Sequence, residues 1–164
     1  MRDGTVLRAD IYRPDTTDSL PVLLCRTPYG KDNRYYTGDA QTLAEQGYMV
    51  IVQDLRGRNT SDGNFEWCYG EPGQITESND GYDSVEWAAA LPGSIGKVGT
   101  YGTSYPAWCS WRLAGADPPS LSAIYTSGLA PRMTVNNYGV FDIGRRMQWM
   151  YQVAADTRNR TQDS

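Results

Sequence analysis

The sequence predicts an α/β fold with a mostly parallel, doubly wound sheet. Short apolar runs alternate with segments of helical period along the first 127 residues, and Gly or Pro bounds many of them. Residues 21–27 and 48–54 are largely continuous apolar runs, which is typical of strands buried on both faces. Strands that alternate with helices in this way favour parallel β-α-β units, and these units make a doubly wound sheet.

Each element has its own sequence signal. Residues 6–13 carry alternating and β-branched side chains up to Pro14, which predicts a first strand. Residues 42–46 predict a short helix that Gly47 closes, and residues 80–91 predict an amphipathic helix. The other predicted elements are a polar loop at 56–79, a strand at 97–102, a helix at 105–116, a strand at 121–126 and a helix around 143–155.

Composition excludes several classes of function. The 164 residues contain 15 Lys and Arg against 19 Asp and Glu, and a net charge of −4 argues against a nucleic-acid-binding surface. No apolar run approaches the ~18–20 residues that cross a bilayer. The first residues do not read as a signal peptide, so the compartment is left open, with the cytoplasm as the default expectation. The chain has no histidine and no C-x-x-C pair, so we expect neither a metal site nor a cofactor.

The main chemical signal is a serine between a predicted strand and a predicted helix. Gly102-Thr103-Ser104-Tyr105 joins the two elements. A sharp turn at such a junction exposes the serine Oγ above the sheet edge and is called a nucleophile elbow. The backbone N–H of Tyr105 would then point to the place where an oxyanion forms, at the positive end of the helix dipole. The alternative is a serine that only caps the helix.

A series of blocks in a fixed order extends this signal over residues 1 to about 127. They are MRDG and IYRP at 1–4 and 11–14, RTPYGK at 26–31, GY and QDLRGR at 47–48 and 53–58, DGYD and EW at 80–83 and 86–87, and GKVG and GTSY at 96–99 and 102–105. In these blocks the chain resembles the serine hydrolase family that includes X-prolyl dipeptidyl-peptidases, cocaine esterase and α-amino-acid ester hydrolases.

The resemblance implies an incomplete α/β-hydrolase fold. Residues 1–130 would form the N-terminal part of the hydrolase domain, and residues 131–164 would begin a helical cap. It also implies that Ser104 is the acyl-forming nucleophile. The phenol of Tyr29 would donate to the oxyanion beside the N–H of Tyr105, since a phenol stays protonated at neutral pH. Without the resemblance, the sequence alone favours an aromatic side chain packed after a strand as the role of Tyr29.

Two positions depart from the family pattern. Ala107 stands where the elbow pattern G-x-S-Y-x-G has glycine, and alanine is small enough to keep the helix close to the strand. Asn59 replaces a glycine in the loop pattern R-G-R-G-x-S. Asparagine tolerates left-handed backbone better than most residues, so we expect the turn to survive.

The sequence lacks the rest of a catalytic triad, which in this fold follows in the order Ser, Asp or Glu, His. Neither Lys31 nor Lys97 has positional support as a replacement base. The triad acid and base are therefore expected beyond residue 164. The carboxylates after Ser104 are Asp117, Asp142, Asp156 and Asp163, and none is assigned as the triad acid because no histidine follows them.

Two functions stay open from the sequence. The first is a fragment of a serine hydrolase that cleaves an ester, an X-Pro peptide or an α-amino acyl compound through an acyl-enzyme on Ser104. The second is a non-catalytic fragment or binding module. The expected partner is a small molecule or peptide, neither nucleic acid nor membrane, and the oligomeric state is open. Aromatic side chains that either border a substrate pocket or pack as core are Phe65, Trp67, Tyr69, Tyr138, Phe141, Trp149 and Tyr151.

Overall fold

A five-stranded sheet organises the chain in the computed structural model, which describes residues 1–66, 77–128, 136–137, 140–141 and 143–162. The spatial order is β1-β3-β2-β4-β5. Strand β1 runs antiparallel to β3, and the pairs β2–β3, β2–β4 and β4–β5 are parallel. The strands are β1 (Ala9–Tyr12), β2 (Leu20–Thr27), β3 (Met49–Asp54), β4 (Ser94–Thr103) and β5 (Leu121–Ser127).

Four helices accompany the sheet in the described part of the chain, together with a small antiparallel pair of two-residue strands. The mostly parallel sheet and the strand–helix alternation confirm the predicted α/β class. The helices are α1 (Arg34–Glu45), α2 (Glu77–Ala89), α3 (Tyr105–Ala114) and α4 (Ile143–Gln162), and the small strands are β6 (Asn136–Asn137) and β7 (Val140–Phe141).

Helix α1 is longer than the sequence predicts, because residues 42–46 are only its last part. The helix begins after Asn33, whose side chain accepts a hydrogen bond from the N–H of Tyr35, as a capping residue does. Its buried side chains are Tyr36, Ala40 and Ala44, which recur every four residues. Two of them are alanines, so the apolar stripe gives a weak periodic signal and the first turns were missed.

The central strands bury side chains on both faces of the sheet. On one face, Leu24 and Ile51 pack with Val85 of α2 and Leu113 of α3. On the other face, side chains of β2 and β3 pack against α1 in a second cluster. Helices therefore cover the sheet from both sides, as the prediction of a doubly wound sheet requires. The second cluster contains Cys25, Val50 and Val52 with Tyr36, Ala40 and Ala44.

The β5 side of the sheet is more exposed than its centre. In the described residues β5 pairs with β4 alone, and its Ile124 and Tyr125 side chains are exposed. A groove of about 460 Å³ runs along this side, and its apolar lining includes Leu23, Leu43 and Ala123. Across the described ranges, no helix is both long and apolar enough to cross a membrane.

Candidate active site

Ser104 occupies a strained turn between β4 and α3. Its backbone has φ 63° and ψ −117°, a region that non-glycine residues rarely adopt and that costs about 1–3 kcal/mol. The Ser104 side chain is exposed and makes no capping hydrogen bond to α3. The backbone holds the turn instead, since the Ser104 N–H donates to the Ser127 carbonyl at 3.0 Å and its own carbonyl accepts from Trp108 at 3.1 Å. This geometry favours a nucleophile elbow over a helix cap.

Small residues around Ser104 allow α3 to approach β4 closely. A Cβ placed on Gly102 would lie 2.4 Å from Cβ of Pro106 and 2.8 Å from its carbonyl carbon. Only glycine therefore fits at this position. Ala107, where the family pattern has glycine, is fully buried inside α3, so the helix keeps its place with the alanine methyl group.

Tyr29 lies at the same edge of the sheet as Ser104. Strands β2 and β4 are parallel neighbours in which Leu24 pairs with Thr100, so their ends at Thr27 and Thr103 fall side by side. Tyr29 follows the first of these ends, and Ser104 follows the second. The topology thus brings the predicted phenol donor and the predicted nucleophile to one edge.

An aromatic cluster connects Tyr29 with Tyr105, the residue that follows Ser104. The indole N–H of Trp149 on α4 donates to the phenol oxygen of Tyr29 at 3.0 Å, and the two rings meet edge to face. The same Trp149 ring stacks on the ring of Tyr105, with centroids 5.9 Å apart and planes 5° apart. Phe65 also packs against Tyr105. The structure therefore assigns Trp149 and Phe65 to this cluster, where the sequence left core packing and a pocket wall as alternatives.

A buried carboxylate, which the sequence analysis did not identify, organises the loop after β3. Asp54 is fully buried. Its carboxylate accepts hydrogen bonds from the backbone N–H groups of Lys31 and Thr60, at 2.7 Å and 3.2 Å. It also accepts from the Asn59 amide at 3.1 Å and from the Thr60 hydroxyl at 2.9 Å. Asn59 has φ 46°, so the left-handed turn expected at this asparagine is present.

Arg58 fastens α4 to the loops at this edge. Its guanidinium is buried and donates to the carbonyls of Pro28 at 3.0 Å and Val153 at 2.7 Å. It also lies 3.4 Å from the carboxylate of Asp156 on α4. Because Pro28 precedes Tyr29, one buried side chain ties the Tyr29 loop to the helix that carries Trp149. A sequence pattern does not separate such an arginine from a surface one, so this role was missed.

The structure places three of the carboxylates and lysines that the sequence analysis weighed, Asp117, Asp156 and Lys31, in other surroundings. Asp117 is an exposed residue in the turn after α3. Asp156 accepts a hydrogen bond from the Asn59 N–H at 3.0 Å, besides pairing with Arg58. Lys31 binds the Asp10 carboxylate at 2.9 Å, and this hydrogen bond raises the lysine pKa, which is opposite to what a base needs. Asp142, Asp163, Trp67, Tyr69 and Tyr138 lie outside the described residues.

The sequence pattern of the X-Pro dipeptidyl-peptidase (S15) family matches residues 3–164. The chain belongs to the S15 family. It is 34% identical over 131 residues to cocaine esterase from Rhodococcus sp. (strain MB1 Bresler), which covers 77% of this chain and 22% of that protein. The predicted resemblance to this group of hydrolases is confirmed.

Solved structures agree with this S15 membership. A CocE/NonD family hydrolase from Staphylococcus aureus superposes with a TM-score of 0.80 at 28% identity, over 96% of this chain and 32% of that one. An α-amino acid ester hydrolase superposes with a TM-score of 0.68 at 27% identity, over 76% of this chain and 23% of that one. The α/β-hydrolase fold is thereby confirmed, and this S15 chain spans about a fifth to a third of the length of these relatives.

Proposed function

We propose that this chain supplies the nucleophile and the oxyanion hole of a serine hydrolase that cleaves ester or amide bonds. The observation that carries the proposal is the exposed Ser104 side chain, held at positive φ between β4 and α3 without a capping bond. A strained φ costs free energy and is found preferentially at active sites, which supports a functional role for this turn.

The proposed reaction proceeds through an acyl-enzyme. The Oγ of Ser104 attacks the substrate carbonyl carbon while its proton passes to a general base, and a tetrahedral oxyanion forms. The bond from that carbon to the alcohol or amine then breaks, and the leaving group takes the proton. Water attacks the acyl-enzyme in the same way, which releases the carboxylic acid and restores the serine.

Two groups would stabilise the oxyanion. The phenol of Tyr29 and the backbone N–H of Tyr105 are supported by their common position at the carboxyl edge of β2 and β4. The Trp149 ring contacts both residues. Because each donor is fixed before substrate arrives, little reorganisation is needed when negative charge develops, and this is the main source of oxyanion-hole catalysis.

The general base of this proposal comes from outside these 164 residues. The sequence contains no histidine, and Lys31 is engaged with Asp10. The acid and the base would then belong to sequence that the longer relatives contain, and the chain would be the N-terminal part of the enzyme. We also keep as a proposal that residues 1–130 belong to the hydrolase body and that a helical cap begins at residue 131.

The substrate class proposed is a small ester or a peptide with an X-Pro bond. The family pattern is that of an X-Pro dipeptidyl-peptidase, and the similar protein from Rhodococcus is a cocaine esterase. An α-amino acyl compound remains a further substrate of the same chemistry. A net charge of −4 supports a small-molecule or peptide partner rather than nucleic acid.

A second candidate function is a non-catalytic binding module, which the missing histidine favours. Without a base, the serine of this chain would retain little activity. The two functions differ in what the gene encodes after Ser164, since a strand, an acidic residue and a late histidine would complete an enzyme. A stop codon at that position would support the binding module.

Replacement of Ser104 tests the proposal. The protein encoded by the complete reading frame should hydrolyse a p-nitrophenyl ester or an X-Pro p-nitroanilide, and Ser104→Ala should lower kcat by about 10⁴-fold or more. Ser122→Ala is the matched control, because Ser122 is an exposed serine on β5 with ordinary strand backbone. Full activity in Ser104→Ala would refute the assignment of the nucleophile.

A further inference from the structure

Trp149 joins the two proposed oxyanion donors from a different element of the fold. It lies on α4, whereas Tyr29 follows β2 and Tyr105 begins α3. The Trp149 indole N–H donates to the Tyr29 phenol oxygen at 3.0 Å. The Trp149 ring lies parallel to the Tyr105 ring, with centroids 5.9 Å apart. One side chain therefore makes a polar contact with one donor residue and a packing contact with the other.

The position of Trp149 is itself fixed by buried contacts. One turn further along α4, the carbonyl of Val153 accepts a hydrogen bond from the buried Arg58 guanidinium at 2.7 Å. The Asp156 carboxylate accepts from the backbone N–H of Asn59 at 3.0 Å. Both partners belong to the loop after β3, so α4 is held against the same edge of the sheet that carries Ser104. The helix that carries Trp149 is therefore fixed in place where the indole contacts the Tyr29 phenol.

We infer that Trp149 is a positioning residue of the oxyanion hole, an inference that rests on the proposed function. A phenol oxygen accepts through its lone pairs and donates through its single proton. An indole N–H, which can only donate, therefore occupies the accepting side of the phenol oxygen. The hydrogen bond holds the Tyr29 phenol oxygen in one place, at the edge of the sheet where the oxyanion is proposed to form.

The indole also strengthens the phenol as a donor. Hydrogen bonds in a chain polarise one another, so an N–H that donates to the phenol oxygen makes the phenol O–H a better donor to the oxyanion. The effect grows as negative charge develops on the substrate oxygen, so it stabilises the transition state more than the bound substrate. Loss of the indole N–H should then lower kcat and leave KM nearly unchanged.

A double-mutant cycle on the protein from the complete reading frame tests this inference. Trp149→Phe removes the N–H and keeps an aromatic ring, and kcat should fall about 3- to 10-fold, the worth of one hydrogen bond. In a Tyr29→Phe background the same substitution should change kcat less than about 2-fold, because the acceptor oxygen is already gone. Trp111→Phe is the matched control, since the exposed Trp111 also donates its indole N–H, to Thr126 at 3.2 Å, and kcat should not change.

A second variant separates the hydrogen bond from ring packing and from folding. Replacement of Trp149 by β-(3-benzothienyl)alanine keeps the size and stacking of the indole and lacks the N–H. The inference expects the same fall in kcat as in Trp149→Phe, together with an unchanged thermal midpoint. An unchanged kcat for this isostere would overturn it, even where Trp149→Phe folds poorly.

The outcomes distinguish this inference from the proposed function. If Ser104→Ala and Tyr29→Phe lose activity but Trp149→Phe has the same effect with or without the Tyr29 hydroxyl, Trp149 does not act through Tyr29 and the inference is wrong. A change in KM alone would overturn it as well, because it would make Trp149 a wall for the substrate. Full activity in Ser104→Ala would overturn the proposed function and this inference together.

Discussion

The two halves of the proposed oxyanion hole are built in different ways. At the elbow, backbone geometry holds Ser104 and Tyr105, through a strained φ, a bond to the Ser127 carbonyl and the close approach that Gly102 allows. At the phenol side, side chains hold Tyr29. Trp149 binds its oxygen, and Asp54 and Arg58 bind the neighbouring loops. An added atom should therefore disrupt the elbow, whereas the removal of a polar group should disrupt the support of Tyr29.

The difference has a physical cause. A backbone N–H can be aimed only by the path of the chain, so the elbow needs a strained turn and small neighbours. A phenol lies at the end of a flexible side chain, so its direction has to be set by other side chains, which include Trp149, 120 residues away in the sequence. Substitutions of opposite kind should therefore break the two halves.

Among substitutions that keep the Ser104 nucleophile, loss of the Tyr29 phenol oxygen should have the largest effect. Tyr29→Phe should lower kcat by about 10²–10³-fold, because one of the two proposed oxyanion donors is removed. Steady-state kinetics on a p-nitrophenyl ester measure the change. Tyr35→Phe is the control, since Tyr35 is 59% exposed on α1 and should leave kcat unchanged. A kcat for Tyr29→Phe within about 3-fold of wild type would remove the phenol from the mechanism.

The second largest effect is expected from a methyl group added at the elbow. In Gly102→Ala the new Cβ meets Pro106 at 2.4 Å and the backbone N of Ala107 at 3.0 Å. Because backbone atoms would have to move, the free energy of unfolding should fall by about 3 kcal/mol. Urea titration measures it, with Gly38→Ala as the control of opposite sign.

Gly38 lies within α1, and a Cβ there would meet nothing within 4 Å. Alanine is the better helix former by about 0.5–1 kcal/mol, so Gly38→Ala should raise the free energy of unfolding by that amount. Equal changes in Gly102→Ala and Gly38→Ala would show that close packing at the elbow is not important.

On the phenol side, removal of the Asp54 charge should lower the free energy of unfolding somewhat less than Gly102→Ala does. Asp54→Asn places an amide where the carboxylate now accepts from Lys31, Asn59 and Thr60. The free energy of unfolding should fall by about 2 kcal/mol, because buried donors lose a charged acceptor. The matched control is Asp18→Asn in an exposed loop, which should be neutral within about 0.5 kcal/mol. A neutral Asp54→Asn would mean that the loop holds itself without this carboxylate.

The smallest expected effect is a local loss of stability when the pH is lowered. Hydrogen bonds from Arg56 lower the pKa of Asp3, so the contribution of this pair to stability is present above the ordinary aspartate pKa of about 4 and is lost as the pH falls through the lowered value. Protection from hydrogen exchange, corrected for intrinsic rates, should therefore fall on acidification at residues 3–5 and 56–58 before it falls at residues 99–103. Simultaneous loss at both places would show that the Asp3–Arg56 pair does not stabilise its own region separately from β4.

The elbow was predictable from sequence because its signal is local. Gly102, Ser104 and the flanking strand and helix lie within a few residues of one another, and the fold class followed from periodicity in the same way. The supports of Tyr29 were not predictable, because Asp54, Arg58 and Trp149 act over long sequence distances and each reads as an ordinary charged or aromatic residue. Helix α1 was underestimated because alanines form much of its buried stripe.

The most direct test of the central claim is covalent capture of the nucleophile. When an alkyl fluorophosphonate is applied to the protein from the complete reading frame, Ser104 Oγ should attack its phosphorus as the proton passes to the general base, and fluoride should leave to solvent. Mass mapping should place the phosphonyl group on that serine. The adduct should be absent in Ser104→Ala, unchanged in Ser122→Ala and slower to form in Tyr29→Phe. Failure to form an adduct, or an adduct that persists in Ser104→Ala, would contradict the assignment of Ser104 as nucleophile.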